Sequence, residues 1–153
     1  MNDVTKDLKF VKTSTIDNIA FTDIEKSKIH GFGLFAKKDF EAHEIICILN
    51  GQIIDWEFYE ELATKINLNG YQNYIFMEWN ALSENTLLVR PFRTKYSYIN
   101  HSKIPNVAIK HNPMRIEVIR KIKAGDEIFI DYSKEPLNQK YLQKENKKFI
   151  NEK

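Results

Sequence analysis

The chain is poor in cysteine, and this scarcity excludes two ways of holding a fold together. Cys47 is the single cysteine among 153 residues. One thiol cannot form a disulfide within the chain, and a zinc cluster built on several cysteines is excluded as well. Because Cys47 stands in the apolar run EIICILNG, we expect its small side chain to be buried.

Long hydrophobic runs are also missing. No apolar run approaches the roughly 20 residues needed to cross a bilayer. The first residues, MNDVTKDLKF, lack the apolar centre of a secretion signal. We therefore expect an intracellular protein of the cytoplasm, nucleus or nucleoid with no membrane partner, while export without such a signal stays open.

Charge of one sign is not in excess. Lysine and arginine total 23 and aspartate and glutamate total 21, a net charge of +2. This balance argues against nucleic acid as the main direct partner. The basic surplus is local, since six lysines and three glutamates follow from residue 134 onward.

The chain has only five glycines and four prolines, and its residue pattern predicts a series of short β-strands. We expect residues 1–17 to form a polar arm, 18–133 one domain, and 134–153 a basic helical segment. The spacing of DWEFYEELATKINLNG predicts a helix with Asp55 as its N-cap and Gly70 just beyond its end. A second helix is predicted from about Pro136 to about Ile150.

Two β-rich stretches carry further predictions. HEIICILNGQII is the most apolar run and predicts a buried strand pair or one long bent strand, with a bend or bulge at Gly51. PNVAIKHNPMRIEVIRKI predicts a hairpin around residues 111–113. The fold class is therefore mainly β, with one mid-chain helix and a C-terminal helix.

Four motifs occur in a fixed order: HGFGLFA, NYIFME, YINHSKIPN and AGDEIFIDYS. N-H-S-x-x-P-N and G-D-E-x-x-x-D-Y, 25 residues apart, are independent signals. Together the four resemble the SET-domain family of protein-lysine methyltransferases over about Ile19 to Ser133. The chain is similar to a small standalone member without a pre-SET region or the zinc-binding post-SET cysteines.

The resemblance implies both a fold and an activity. SET domains are short curved sheets around a knot-like crossing, where the N-H-S segment passes beside the D-Y segment. S-adenosylmethionine (SAM) lies in a cleft on one face, and a substrate lysine enters from the opposite face. The implied reaction transfers a methyl group to the lysine ε-amine and leaves S-adenosylhomocysteine.

The cofactor-binding residues that the resemblance implies come from two motifs. The first supplies His30, Gly31, Phe32 and Gly33, where glycine lets the backbone approach a ligand closely. The second supplies Asn100 and His101. A plain turn and a polar loop are the alternative interpretations of these stretches.

The resemblance implies two catalytic tyrosines. Tyr132 of the D-Y pair would direct its hydroxyl at the reaction centre, and Tyr74 would line the lysine channel, where Tyr71 competes for the role. Either could instead be an amphipathic core aromatic. No carboxylate in the motifs is an obvious base, so burial and the SAM cation would lower the pKa of the lysine and water would take the proton.

Three positions depart from the family pattern. Lys103 stands where many members carry a cysteine, so the segment from Lys134 onward is expected to close the channel with its Leu137, Tyr141 and Leu142 face, or else to pack elsewhere. Lys134 also stands where an aromatic residue often sets the number of methyl groups. Ser97 replaces a frequent arginine, for which residues 90, 93 or 95 could substitute.

The alternative function is a non-catalytic, SET-like protein-binding module. The partner expected for an enzyme is a lysine-containing protein, with histones or histone-like proteins as the family's usual targets and automethylation left open. Glutamates 57, 60, 61, 78 and 84 could offer an acidic groove or form a solvated surface. A homodimer is neither favoured nor excluded.

Overall fold

The computed structural model describes residues 17–151, so the predicted arm, apart from its last residue, lies outside the described residues. The fold is mainly β, as predicted. Ten short strands are present in this part of the chain: β1 Thr22–Lys26, β2 Phe32–Ala36, β3 Ile45–Ile48, β4 Gln52–Asp55, β5 Glu78–Ser83, β6 Thr86–Arg90, β7 Asn100–His101, β8 Val107–Lys110, β9 Arg115–Val118 and β10 Glu127–Ile130.

The strands form three small sheets around one main core. Their orders are β1-β2-β10-β7, β3-β9-β8 and β4-β6-β5. β7 runs parallel to β10, although the pairs inside the other sheets are antiparallel. Leu34, Ile116 and Ile128 are fully buried between the sheets, and burying such side chains is the dominant stabilising term.

The apolar run around Cys47 does not form the expected buried strand pair. β3 pairs with β9 and β4 pairs with β6, so the run is divided between two sheets. Gly51 lies between them, where an added Cβ would be 2.7 Å from the Val89 carbonyl oxygen. Cys47 is buried as predicted and burial raises its pKa to about 11, whereas Ile48 and Ile53 are exposed because each strand covers the core with one face only.

The mid-chain helix and the hairpin are confirmed. Helix α1, Trp56–Leu68, begins directly after Asp55 and ends before Gly70, which has a left-handed φ of 72°. β8 and β9 are antiparallel neighbours across residues 111–114. Within the described residues, no helix is both long and apolar enough to traverse a bilayer.

The C-terminal segment is helical but broken, which the sequence did not indicate. Helix α2, Gln139–Leu142, is followed by a 3₁₀ helix over Glu145–Ile150. Tyr141 and Ile150 both line one cavity of the protein. Tyr141 and Ile150 are nine positions apart, which would be about two and a half turns of a continuous α-helix. The two side chains would then point to opposite sides, so the break lets both face the domain.

Candidate active site

The N-H-S and D-Y segments lie side by side in the fold. In the β7–β10 ladder, Asn100 is opposite Phe129 and His101 is opposite Ile130. The Ser102 amide then donates to the Ile130 carbonyl oxygen at 2.9 Å. The crossing therefore brings together two stretches that are about 30 residues apart in sequence.

A buried asparagine holds the crossing in shape. The Asn106 side chain donates to the Glu127 carbonyl oxygen at 2.8 Å and accepts from the Phe129 amide at 2.8 Å. The Asn106 side chain therefore makes the two hydrogen bonds to β10 that the backbone of a neighbouring strand residue would make.

Asn100 connects the N-H-S motif to the G-x-G motif. Its Nδ2 donates to the carbonyl oxygens of Phe32 at 3.1 Å and His30 at 3.3 Å, and to Glu127 Oε1 at 2.8 Å. The structure therefore brings the predicted cofactor residues of both motifs to one place. The His30 side chain itself is exposed, so its backbone is the part that joins the cluster.

Glu127 also belongs to this cluster, although the sequence motifs gave it no predicted role. Its carboxylate accepts from Asn100 Nδ2 and, at 3.0 Å, from Ser27 Oγ. It also lies against Gly33, where an added Cβ would overlap Oε1 and lie 2.7 Å from Cδ. Glycine at position 33 therefore leaves space for the Glu127 side chain. The feature of the sequence that could have indicated this residue is the glutamate of the G-D-E motif.

The surroundings of this cluster suit a ligand with an aromatic ring and a polar end. Gly31 has a φ of +52° and open space where a side chain would project. Phe32 is 61% exposed and Phe149 44% exposed, and the Phe149 ring lies 5.9 Å from the His101 ring. Uncovered aromatic surface next to backbone polar groups is typical of a ligand site. The residues present therefore fit SAM.

His101 packs directly on Tyr132. The Tyr132 amide donates to His101 Nδ1 at 3.1 Å, and the two rings stack with centroids 5.3 Å apart. Burial lowers the pKa of His101. A neutral imidazole is also what the hydrogen bond requires, because Nδ1 must be unprotonated to accept.

The Tyr132 hydroxyl is fixed and protonated. It donates to the Ile99 carbonyl oxygen at 2.6 Å. Burial raises the pKa of Tyr132 to about 12, so the phenol stays neutral at physiological pH. With its proton engaged, the oxygen keeps lone pairs that can accept a hydrogen bond from an incoming amine.

Tyr132 lines a cavity of about 300 Å³ that the C-terminal segment helps to form. The other lining residues come from four parts of the chain: Phe76, Met77, Glu78, Trp79, Asn80, Ala81, Tyr96, Ser97, Glu135, Leu137, Tyr141, Lys147 and Ile150. Leu137 and Tyr141 were expected to cover the site, and both contribute to its wall. Leu142, the third residue of that expected face, is not among the lining residues.

Glu135 is the unforeseen residue of this cavity. Its Oε2 is buried and has no hydrogen-bond partner among residues 17–151. Burial, reinforced by the nearby charge of Asp131, raises the pKa of Glu135 to about 7. Its position three residues after Tyr132 was visible in the sequence, but its burial was not.

Tyr74 is not brought to this cavity. It is 90% exposed, and Tyr71 is 54% exposed. From the same motif, Phe76 and Met77 line the cavity instead. The catalytic role of Tyr74 stays a prediction that the geometry of the described residues does not support.

Arg90, one of the three basic residues considered in place of the arginine that Ser97 replaces, forms a buried ion pair. Arg90 is 2% exposed and donates from Nε to Glu78 Oε2 at 2.6 Å. The Glu78 carboxylate also accepts from the Thr94 amide and hydroxyl and from the Ser97 hydroxyl. Glu78 is therefore buried in an ion pair and does not belong to an acidic surface groove.

Comparison with known proteins agrees with this geometry. The family model of the SET domain matches residues 31–133. The histone-lysine N-methyltransferase trithorax of Drosophila virilis is 29% identical over 119 residues, which are 73% of this chain and 3% of that protein. A histone-lysine N-methyltransferase described as H3 lysine-36 specific, from Eremothecium gossypii, is 29% identical over 136 residues, 82% of this chain and 18% of that protein. The histone-lysine N-methyltransferase trr of Drosophila melanogaster is 31% identical over 116 residues, 71% of this chain and 5% of that protein.

The chain thus spans less than a fifth of the length of each of these relatives. The matched family region contains the G-x-G, N-H-S and D-Y motifs whose residues meet in the structure. The sequence match and the crossing geometry therefore agree. The chain belongs to the SET-domain family.

Proposed function

We propose that this chain is a SAM-dependent protein-lysine N-methyltransferase. The observation that carries the proposal is the Tyr132 hydroxyl, fixed on the Ile99 carbonyl oxygen at the wall of a cavity. Asn100 adjoins Ile99 in the chain and organises the G-x-G strand. A lysine site and a cofactor site would therefore share one short segment of backbone.

Cofactor binding is assigned to six residues: His30, Gly31, Phe32, Gly33, Asn100 and His101. When bound, SAM supplies a methyl group on a positively charged sulfur and leaves as S-adenosylhomocysteine. Asn100 positions the backbone of the G-x-G strand, and Glu127 positions Asn100. The exposed rings of Phe32 and Phe149 offer apolar contact area.

The cavity residues would orient the substrate amine. The Tyr132 oxygen accepts a hydrogen bond from it, while His101 holds the Tyr132 backbone in place. Burial raises the pKa of Tyr96 well above its usual value, so this lining phenol is neutral too. Neutral aromatic walls attract an alkylammonium group through cation–π contacts, and alignment of the reacting atoms supplies much of such a rate enhancement.

The substrate class rests on the relatives. Their names describe histone-lysine methyltransferases, and one of them mentions H3 lysine-36. We therefore assign a lysine-bearing protein as substrate, with histones or histone-like proteins as the first candidates and an intracellular setting.

Calorimetry and a transfer assay together test the proposal. SAM should bind the native chain, and Asn100→Ala should lower its affinity about tenfold or more, since the side-chain amide that contacts the His30 and Phe32 carbonyl oxygens and the Glu127 carboxylate is lost. Tyr132→Phe should keep its SAM affinity but lose methyl transfer to lysine peptides from the histone H3 tail, detected by mass spectrometry. If the folded native chain binds no SAM, the catalytic assignment fails, and the non-catalytic protein-binding module becomes the better interpretation.

A further inference from the structure

Glu135 differs from the other ionisable groups near the cavity because its buried Oε2 has no hydrogen-bond partner among residues 17–151. The titratable or charged groups that face it are Glu78, Tyr96, Asp131, Tyr132, Tyr141 and Lys147. Burial raises the pKa of all three tyrosines, so none of them accepts a proton near neutral pH. Lys147 is a cation placed 5.3 Å from the Tyr141 ring centre.

The two other carboxylates are already engaged. Glu78 is paired with Arg90 at 2.6 Å. Asp131 accepts from both the amide and the hydroxyl of Ser133. Within residues 17–151, Glu135 is therefore the cavity-lining carboxylate that retains an oxygen without a partner.

A substrate lysine must lose a proton before its nitrogen can attack, because an ammonium group has no free electron pair. Its ordinary pKa is about 10.4. Burial away from water lowers the pKa of an amine and raises that of a carboxyl group, since both charged forms lose hydration. Inside the cavity, the pKa of the amine and the pKa of the carboxyl group are therefore closer together than in water. Proton transfer from the ammonium to the carboxylate also replaces two buried charges with two neutral groups.

Resting on the proposed function, we infer that the Glu135 carboxylate accepts the proton of the substrate lysine ammonium. One N–H bond of the ammonium breaks, its electron pair stays on nitrogen, and an O–H bond forms on Glu135. After the product leaves, the Glu135 carboxyl releases that proton to bulk water. The step needs no other reactant, and it assigns a base where the motifs alone offered none.

The first test is a carboxyl titration of the full chain by carbon-13 NMR, with the Glu135 resonance assigned from Glu135→Gln. The midpoint should lie near pH 7. Saturating n-butylammonium chloride, a mimic of the lysine side chain, should lower that midpoint by about one unit, because a neighbouring cation favours the carboxylate. Glu145, with 88% of its side chain exposed on the same segment, should not respond. A Glu135 midpoint in the ordinary range near 4.3, or no response to n-butylammonium, overturns the inference.

The second test is the pH profile of methyl transfer to an H3 tail peptide. Loss of a general base costs about 10²–10⁴-fold, so Glu135→Gln should be at least about 100-fold slower than the native chain at pH 7. The deficit should shrink toward pH 9, where more of the peptide lysine is already neutral. Glu145→Gln, the matched control, should follow the native profile.

The outcomes separate the two proposals. Glu135→Gln transfer within about threefold of native at pH 7, or an equal loss at pH 7 and pH 9, overturns the role of Glu135 and leaves the methyltransferase assignment intact. No transfer by the native chain overturns the proposed function. The n-butylammonium titration then decides alone whether Glu135 serves a lysine-side-chain site.

Discussion

Lys103 donates from Nζ to the Ile150 carbonyl oxygen at 2.7 Å, which ties the residue after N-H-S to the end of the C-terminal segment. The same ammonium donates to Ser133 Oγ at 3.2 Å and lies 3.8 Å from Asp131 Oδ1. The resemblance implies a cysteine at this position in many SET domains. Here a lysine instead connects the N-H-S segment to Ser133 and to the end of the C-terminal segment through hydrogen bonds.

Removing this ammonium should loosen the C-terminal segment. Hydrogen bonds to charged groups contribute about 1.5–3 kcal/mol, so Lys103→Met should lower the free energy of unfolding by about that amount or less. Amide hydrogen exchange should become faster over residues 137–150. The matched control is Lys140→Met, since Lys140 is an exposed lysine of the same segment. Equal exchange in the two variants would contradict the anchoring role of Lys103.

Gly33→Ala should weaken SAM binding by steric contact with Glu127. The added Cβ overlaps the Glu127 carboxylate, which must move and release Asn100. We expect a loss of about tenfold in affinity by calorimetry, equal to ~1.4 kcal/mol. Glu127→Ala removes the contact, so adding Gly33→Ala to it should cost little more, and additive losses would show that the steric explanation is wrong.

Glu135→Gln should change the pH dependence of stability. Burial raises the pKa of Glu135 to about 7, so the native state keeps a proton that the unfolded chain releases from about pH 4.3. The native chain therefore has its full stability below that ordinary pKa and loses stability as the pH rises through about 7.

Glutamine has no proton to lose. As the pH rises from 4.5 to 8, the free energy of unfolding of the variant should increase relative to that of the native chain by on the order of 2–3 kcal/mol, measured by urea denaturation. A variant that is more stable at pH 8 but inactive would fit a carboxylate kept for function. Parallel stability curves for the two proteins would rule out a raised pKa at Glu135.

Arg90→Met should be strongly destabilising. The guanidinium is 2% exposed and also donates to the Asn50 carbonyl oxygen and to Asn80 Oδ1. Its removal leaves the Glu78 charge buried without its counterion, which costs about 3–5 kcal/mol. Arg93→Met, at an exposed position, should cost less than about 1 kcal/mol. Recovery in Arg90→Met/Glu78→Gln, measured by thermal unfolding, would assign the cost to the charge, whereas no recovery would assign it to packing.

The sequence predicted the family fold through the resemblance of its four motifs, and the structure shows which backbone requirements those motifs meet. Gly33 must be small where Glu127 packs, and Asn106 must both donate and accept where it pairs with β10. Such requirements allow few residue types, so they are readable in a single chain. The resemblance implied that Asn100, His30 and Phe32 belong to one cofactor site, and in the structure Asn100 Nδ2 donates to the carbonyl oxygens of both residues.

The sequence predicted only some of the side chains that face the cavity, among them Tyr132, Leu137 and Tyr141. Tyr74 belongs to a family-like motif yet is 90% exposed, whereas Glu135 belongs to no motif and has a buried oxygen. Orientation depends on neighbours that are distant in sequence, and the spacing of apolar residues over 136–150 could not show that the helix breaks.

The sequence by itself determined the mainly β class, the mid-chain helix and the set of motifs, since periodicity and turn chemistry are local properties. Tertiary structure alone decided that Lys103 reaches Ile150, that Arg90 compensates Glu78, and that Glu135 keeps an oxygen without a partner. The physical reason is that burial and charge pairing depend on what surrounds a side chain in space. Those surroundings arise only when the crossing brings β7, β10 and the C-terminal segment together.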